Sequence, residues 1–301
     1  MRFIRVLRKL LARLDEILSK FNGAPNPGAA APPLNRYEGI RGFLRSLDFQ
    51  NEDSRGYVET HLERIARTLT LVPPPGPTRR VLELGAYMQM TPALKCLLGY
   101  EDVRAAYYGD LGQADTKVAT ASGREIFRCQ IDLFDAEQDV FPYPADYFDT
   151  VLACEIIEHL LHDPMHMLIE IRRVLVDRGT LVLTTPNIAS FASVAHLLRA
   201  SGHPQICSKY ANPERDPARL EVPHVREYTP QELREAVQAA GFEISHLFTE
   251  DIEHYHQEIW AREFLARNGY PIDLRGEQVY CVAQKKAGAL INRQPDFLYE
   301  R

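Results

Sequence analysis

Apolar positions change their period along the chain, and each change marks an element. Phe3, Leu7, Leu10, Leu14, Ile17 and Phe21 recur at spacings of four and three, with Ile4, Leu11 and Leu18 beside them and Arg and Lys filling the other face. This pattern predicts one basic amphipathic helix over residues 1–21. Residues 22–35 follow, with four prolines, two glycines and almost nothing to bury, and read as a linker. Helical spacing returns with Val58, Leu62, Ile65 and Leu69, inside a helical lead-in over 36–72 that the run VPPPGP (72–77) brings to a halt.

From there strand-like and helical patterns alternate. The strand-like runs are RVLELG (80–85), VRAAYYGD (103–110), EIFRCQID (125–132), FDTVLAC (148–154) and TLVLTTP (180–186), joined later by FEISHLF (242–248) and EQVYCVAQK (277–285). Apolar, β-branched runs that end in small or acidic residues and lead into helices are how buried parallel strands meet their helices, so the expected class is a doubly wound α/β fold. Two helix starts are well marked. Asp163-Pro164 places a capping carboxylate before a proline at the first helical position, and Thr229-Pro230-Gln231-Glu232 forms a capping box whose helix Gly241 ends. The main domain is expected over 36–286, and in the tail, 287–301, Phe297, Leu298 and Tyr299 are placed to dock on it.

Charge narrows the class of partner. Of the net charge of −6, residues 1–21 carry six Lys/Arg against Asp15 and Glu16, or +4, which leaves −10 on the rest. So acidic a body argues against nucleic acid, whose affinity comes from cationic neutralisation of phosphates. Five scattered cysteines without a CxxC pair suit reduced thiols in a cytoplasm. The basic helix 1–21 has three open placements: on an anionic membrane surface as a peripheral contact, in a short coiled coil, or docked on its own domain.

VLELG (81–85) followed by a helix, an acidic residue closing the second strand, an Asp after the third, FDTVLACEIIEHL (148–160), GTLVLTTPN (179–187) and HVREYTPQELREAVQAAGF (224–242) occur in order. Together they resemble the class I S-adenosylmethionine-dependent methyltransferases, closest to the ubiquinone-biosynthesis and sugar O-methyltransferase branch, over about residues 57–286. The resemblance implies a mostly parallel, seven-stranded Rossmann-like sheet with helices on both faces, and S-adenosyl-L-methionine as cofactor. It also implies roles. Glu83, Gly85, Ala86 and Tyr87 fall in the first motif, at the amino-acid end of the cofactor, and Asp110 falls at the ribose hydroxyls. Asp132 and Leu133 fall at the adenine, and Cys154 and Glu155 beside the methyl-transfer locus. Where the family has Gly-x-Gly-x-Gly, this chain reads Gly85-Ala86-Tyr87-Met88-Gln89. A tyrosine there either blocks the methionine arm of the cofactor or turns aside and adds a hydroxyl contact.

Transfer to a hydroxyl acceptor benefits from a base. His159, just past the fourth strand, and His224 are the catalytic candidates, and Arg226 and Tyr228 alternate with His224 as substrate-lining candidates. They follow a long aperiodic segment, 201–223, within an insertion over about 189–227 that is expected to cover the acceptor. The set Glu155, Glu158, His159, His162, Asp163 and His166 matches no trusted metal spacing, so a solvated helix face and no metal are expected there. His254 and His256 carry no assigned chemistry. The leading expectation is O-methylation of a hydroxylated small molecule, glycan or lipid-linked acceptor. The altered glycine loop keeps open a catalytically silent, methyltransferase-like binding or scaffold protein. A dinucleotide oxidoreductase is disfavoured, because Gly-x-Gly-x-x-Gly is absent after the first strand.

Overall fold

The middle of the sheet is built from residues that have nowhere to be but inside. In the computed structural model, which describes residues 34–49, 52–200, 202–205, 223–251 and 258–300, β2 (Arg80–Leu84) lies between β3 (Asp102–Tyr107) and β6 (Phe148–Cys154), parallel to both. Strand alternation sends Val81 to one face and Leu82 and Leu84 to the other, which is why the run is apolar throughout. All described residues fall in one compact unit, 31–301. The helix expected over 1–21 and most of the expected linker lie outside the described residues.

The full sheet has nine strands in the order β1-β4-β5-β3-β2-β6-β7-β9-β8. The remaining strands are β1 (Leu47–Asp48), β4 (Ala114–Ala121), β5 (Arg124–Leu133), β7 (Leu175–Pro186), β8 (Phe242–Glu250) and β9 (Gln278–Lys285). The expectation of seven mostly parallel strands therefore needs correction. Five strands, β5-β3-β2-β6-β7, pair in parallel, while β4, β1, β9 and β8 add antiparallel edges. Two strands were not expected, β1, which interrupts the helical lead-in, and β4, which turns into β5 through Ser122 and Gly123, both at positive φ (51° and 71°), as a tight two-residue hairpin requires. Asp48 accepts a hydrogen bond from the Gly123 N–H at 2.8 Å and ties β1 to the turn.

Helices cover both faces, as expected. On one side α1 (Leu34–Ser46), α2 (Glu52–Leu71) and α3 (Thr91–Cys96) bury Leu44, Leu62, Ile65 and Leu94 against Val81, Leu152 and Val182. On the other, α4 (Pro164–Val174) and α6 (Pro230–Ala239) bury Leu168, Ile171, Leu233 and Val237 against Leu82, Leu84 and Val151. Each fully buried Leu, Ile or Val contributes about 1.5–3 kcal/mol. Asp163 caps α4, and Thr229 and Glu232 form the complete capping box of α6; Gly241, at φ +85°, ends it. Two further helices, α5 (Phe191–Arg199) and α7 (Ile259–Arg267), pack together beyond β7. The tail docks as expected, with Phe297, Leu298 and Tyr299 against the α4–α6 core.

Candidate functional site

The chain leaves β2 on one side to form β3 and returns on the other as β6, so a crevice opens beyond their carboxyl ends, where open α/β sheets bind ligands. Gly85 begins the turn out of β2 at φ +65°, and a Cβ there would stand 3.2 Å from Ile156 Cδ1. Glycine suits both demands. Ala86 is buried and donates its N–H to Ala106 O. Met88 takes the left-handed conformation instead of a glycine, at φ +69°. Tyr87 is 58% exposed, and its ring stands edge-on to Tyr107 with the two hydroxyls 2.5 Å apart. The phenol thus turns aside toward the end of β3 and is not packed into the protein.

Glu83 lies on the α2–α3 side of β2, buried, with its Oε2 lacking a hydrogen-bond partner among the described residues. Desolvation pushes its carboxyl up to about 7, offset in part by the Thr91 hydroxyl beside it. Asp110 lies three residues past the end of β3, exposed, accepting from Gln113 Nε2. Tyr107, not Asp110, is the residue that ends the strand beside the glycine turn. Asp132 is half-buried and accepts from Tyr143 OH at 2.7 Å and Gln130 Nε2 at 3.1 Å. Leu133 lies against Gly109, where an added Cβ would come within 3.0 Å of it.

At the end of β6, Cys154 is half-buried, its thiol toward Val182 O. Glu155 takes φ +54° and turns its carboxylate inward to Arg64, 2.6 Å away, to Thr184 Oγ1 at 2.7 Å and to Gln278 Nε2 at 2.6 Å. Burial disfavours the charged guanidinium of Arg64, but the Glu155 carboxylate and the Tyr57 hydroxyl outweigh it and hold the pKa above the usual arginine value.

Past Glu155 the chain forms a 3-10 turn, Ile157–His159. Here the two catalytic candidates meet, although 65 positions separate them in sequence: the rings of His159 and His224 are perpendicular, centroids 4.7 Å apart. The segment carrying His224 is pinned to the turn because Val225 N–H and Arg226 N–H both donate to Glu158 O, at 2.8 and 3.1 Å. Buried Glu227 sits 2.8 Å from His224 Nδ1 and fixes the ring's orientation. Glu158 is fully buried, accepts from Thr185 Oγ1 at 2.9 Å, and has its carboxyl pKa raised, first by desolvation and then by Glu155.

The methyltransferase-domain family model matches residues 57–247. The chain belongs to that family. S-adenosylmethionine is the methyl donor it implies. No curated protein matches the methyltransferase in sequence. Among solved structures, an S-adenosylmethionine-dependent methyltransferase from Archaeoglobus fulgidus is 16% identical at a TM-score of 0.48, covering 78% of this chain and all of that one. Another, from Thermotoga maritima, is 15% identical at 0.46, covering 83% and all respectively.

The residues present fit that donor at one point: Glu83 keeps a buried Oε2 without a hydrogen-bond partner among the described residues, a polar atom that the ammonium of a methionyl arm can meet. Other candidates are placed differently from expectation. Tyr228, expected along the pocket, is 2% exposed and part of the α4–α6 core; Arg226 pairs with Glu232 at 2.7 Å. The expected solvated helix face is not formed either. Asp163 caps α4 and pairs with Arg293, His166 contacts Asp139 O, and Glu158 is interior. Most of the segment expected to cover the acceptor, 206–222, lies outside the described residues, as do His254 and His256.

Sequence reasoning missed Arg64, Glu227 and Glu137. The Glu137 carboxylate accepts the backbone N–H groups of Leu161, His162 and Asp163 at 2.6–2.9 Å and so holds the chain just past His159. Of these, only Glu227, three apart from His224 in sequence, carried a local signal.

Proposed function

We propose that this methyltransferase transfers the methyl group to a hydroxyl oxygen of a small molecule, a glycan or a lipid-linked acceptor. The reading rests on one observation: His159 and His224 converge at the end of β6, with Glu227 orienting His224. When bound, the donor supplies a methyl group on a positively charged sulfur, an already activated leaving group. The chain's own part is positioning and proton removal. Glu83, Gly85 and Ala86 receive the amino-acid end of the donor. The tyrosine pair Tyr87–Tyr107 borders the ribose side in place of the outlying Asp110, and Asp132 and Leu133 border the adenine side. An imidazole of the pair accepts the acceptor's proton as its oxygen takes the methyl group. Glu227 on Nδ1 keeps the His224 ring in one tautomer, so that its other nitrogen is the one to take the proton.

Calorimetric titration of the full chain with S-adenosylmethionine and S-adenosylhomocysteine tests the first half: both are expected to bind, and silence from both refutes the enzyme. Incubation of hydroxylated acceptors with isotope-labelled donor tests the second. His224→Ala is expected to lower kcat by about 10²-fold or more with donor affinity retained. Unchanged turnover in the double variant His159→Ala/His224→Ala removes the imidazole base.

A further inference from the structure

The loop before β9 carries a cation that proton removal and donor binding leave unused. Arg275 is half-buried, and its guanidinium donates to two carbonyl oxygens, from Nη1 to Ala189 O at 2.8 Å and from Nε to Pro271 O at 3.2 Å. No carboxylate pairs with it among the described residues, and burial holds its pKa below the usual arginine value with no acid to restore it. A charge taken partly out of water without a counter-ion costs free energy. Of the five guanidinium N–H groups three remain, one on Nη1 and both on Nη2.

The backbone around this side chain is clamped on both sides. Asn187, fully buried just past β7, donates from Nδ2 to Leu274 O at 3.0 Å and to Gly276 O at 2.7 Å, the carbonyls that flank Arg275. Arg275 O itself accepts from Phe191 N–H at 3.0 Å. Leu274 takes the left-handed conformation at φ +57°, and a Cβ on Gly276 would come within 2.6 Å of the Glu250 backbone. A non-glycine residue keeps such a conformation where its surroundings over-determine it. The clamp sits on the rim of the crevice. Asn187 is where the chain leaves the sheet for the insertion, and it bridges to Tyr228, where the chain returns four positions after His224. Gln278, three residues beyond Arg275, reaches Glu155 Oε1 at the end of β6, and three residues span at most about 11 Å of chain.

We infer that Arg275 is an anion anchor on the rim of the acceptor crevice, and that the hydroxylated acceptor carries a phosphate group that binds there. The inference rests on the reading of the histidine corner as the place of methyl transfer, and it names the class of acceptor. Three free N–H groups suit an oxyanion with three terminal oxygens better than a carboxylate with two, and paired hydrogen bonds from one guanidinium to a phosphate are strong and directional. The hold is local. Outside residues 1–21 the chain carries −10, so no general positive field gathers anions, and one cation has to supply the attraction. Gln278 and Glu155 stand between this loop and the two histidines, which puts the phosphate at the end of the acceptor away from the methylated hydroxyl.

The test is calorimetric titration of the full chain with inorganic pyrophosphate, with and without saturating S-adenosylhomocysteine. One pyrophosphate per chain is expected in both conditions, with Kd raised at least about tenfold in R275Q, which keeps hydrogen-bond donors for the loop and deletes the charge. R275K keeps the charge without the paired hydrogen bonds and is expected to raise Kd about threefold or more, short of R275Q. Thermal unfolding checks that each variant folds; should R275Q not fold, R275K carries the comparison. Acetate is expected to bind at least about tenfold more weakly than pyrophosphate, and equal binding overturns the assignment to phosphate. No stoichiometric pyrophosphate binding, or binding unchanged in the variants, overturns the anchor and leaves Arg275 as a staple of its loop. Titration of the same samples with S-adenosylmethionine separates the two proposals. Donor binding without pyrophosphate binding removes the anchor and leaves the imidazole base, whereas pyrophosphate binding without donor binding keeps the anchor and removes methyl transfer.

Discussion

Replacing Arg64 by methionine tests whether the ion pair between α2 and the end of β6 holds the crevice together. Arg64 is 6% exposed, with Nη1 2.6 Å from Glu155 Oε2 and Nη2 donating to the Tyr57 hydroxyl at 2.8 Å. Methionine keeps most of the buried stem and deletes the charge. Glu155 is then left with two neutral donors, Thr184 and Gln278, for a carboxylate whose side chain is only 19% exposed. Removing one partner of a buried pair costs about 3–5 kcal/mol, and the two surviving donors favour the lower end, about 3 kcal/mol. At about 2–4 °C per kcal/mol for a domain of this size, Tm falls by about 6–12 °C. Urea unfolding followed by circular dichroism is expected to show a lower midpoint at unchanged slope. The double variant Arg64→Met/Glu155→Gln carries no orphan charge and is expected to recover much of the loss. A loss below about 1 kcal/mol in Arg64→Met, or no recovery in the double variant, refutes the argument that an uncompensated carboxylate is what costs stability.

Other outcomes follow from the same structure. Glu83 holds its proton to about pH 7 in the fold against 4.5 ordinarily, so the folded state binds the extra proton between these values and stability falls as pH rises through that window; Glu83→Gln is expected to flatten the slope in urea midpoints measured from pH 4.5 to 7. Glu137→Ala frees three backbone N–H groups next to His159, with a loss of about 1–3 kcal/mol seen in thermal unfolding and faster hydrogen exchange at Leu161–Asp163. Thr229→Ala removes the acceptor from Glu232 N–H and is expected to cost about 1 kcal/mol in the same urea assay, without a change in donor affinity. Tyr107→Phe breaks the hydroxyl contact with Tyr87 and is expected to weaken S-adenosylmethionine binding in calorimetry, while Asp110→Asn leaves it within about twofold, a difference under about 0.5 kcal/mol.

What the sequence displays of this fold is what burial forces on it. β2, β6 and β7 are covered on both faces, so their residues are apolar at successive positions, and FDTVLAC matches its strand residue for residue. The capped starts of α4 and α6 are equally visible, because a cap is a local contract between side chain and backbone three residues on. β4 escaped for the opposite reason. Only Ala119 of ADTKVATA is buried, since the strand lies toward the edge of the sheet with β1's two residues beyond it, and polar residues there carry no inside–outside code. Its one local sign was Ser122-Gly123, a turn pair flanked by strand formers.

The site divides along the same line. His159 and His224 stand out as residue types at an expected junction, and their spacing in sequence says nothing of their meeting; the contact depends on two backbone N–H groups reaching Glu158 O across the whole of β7 and α5. Arg64 is invisible as a functional residue because its stretch reads as an amphipathic helix, and only the left-handed turn at Glu155 swings a carboxylate round to meet it. That turn has a second effect. By directing Glu155 inward, to Arg64, Thr184 and Gln278, it leaves Glu158 as the acid beside the histidines, with one oxygen bound and one unpartnered. Of two glutamates three positions apart, one is therefore tied into the scaffold and the other stands buried beside the two histidines, and a single positive φ decides between them.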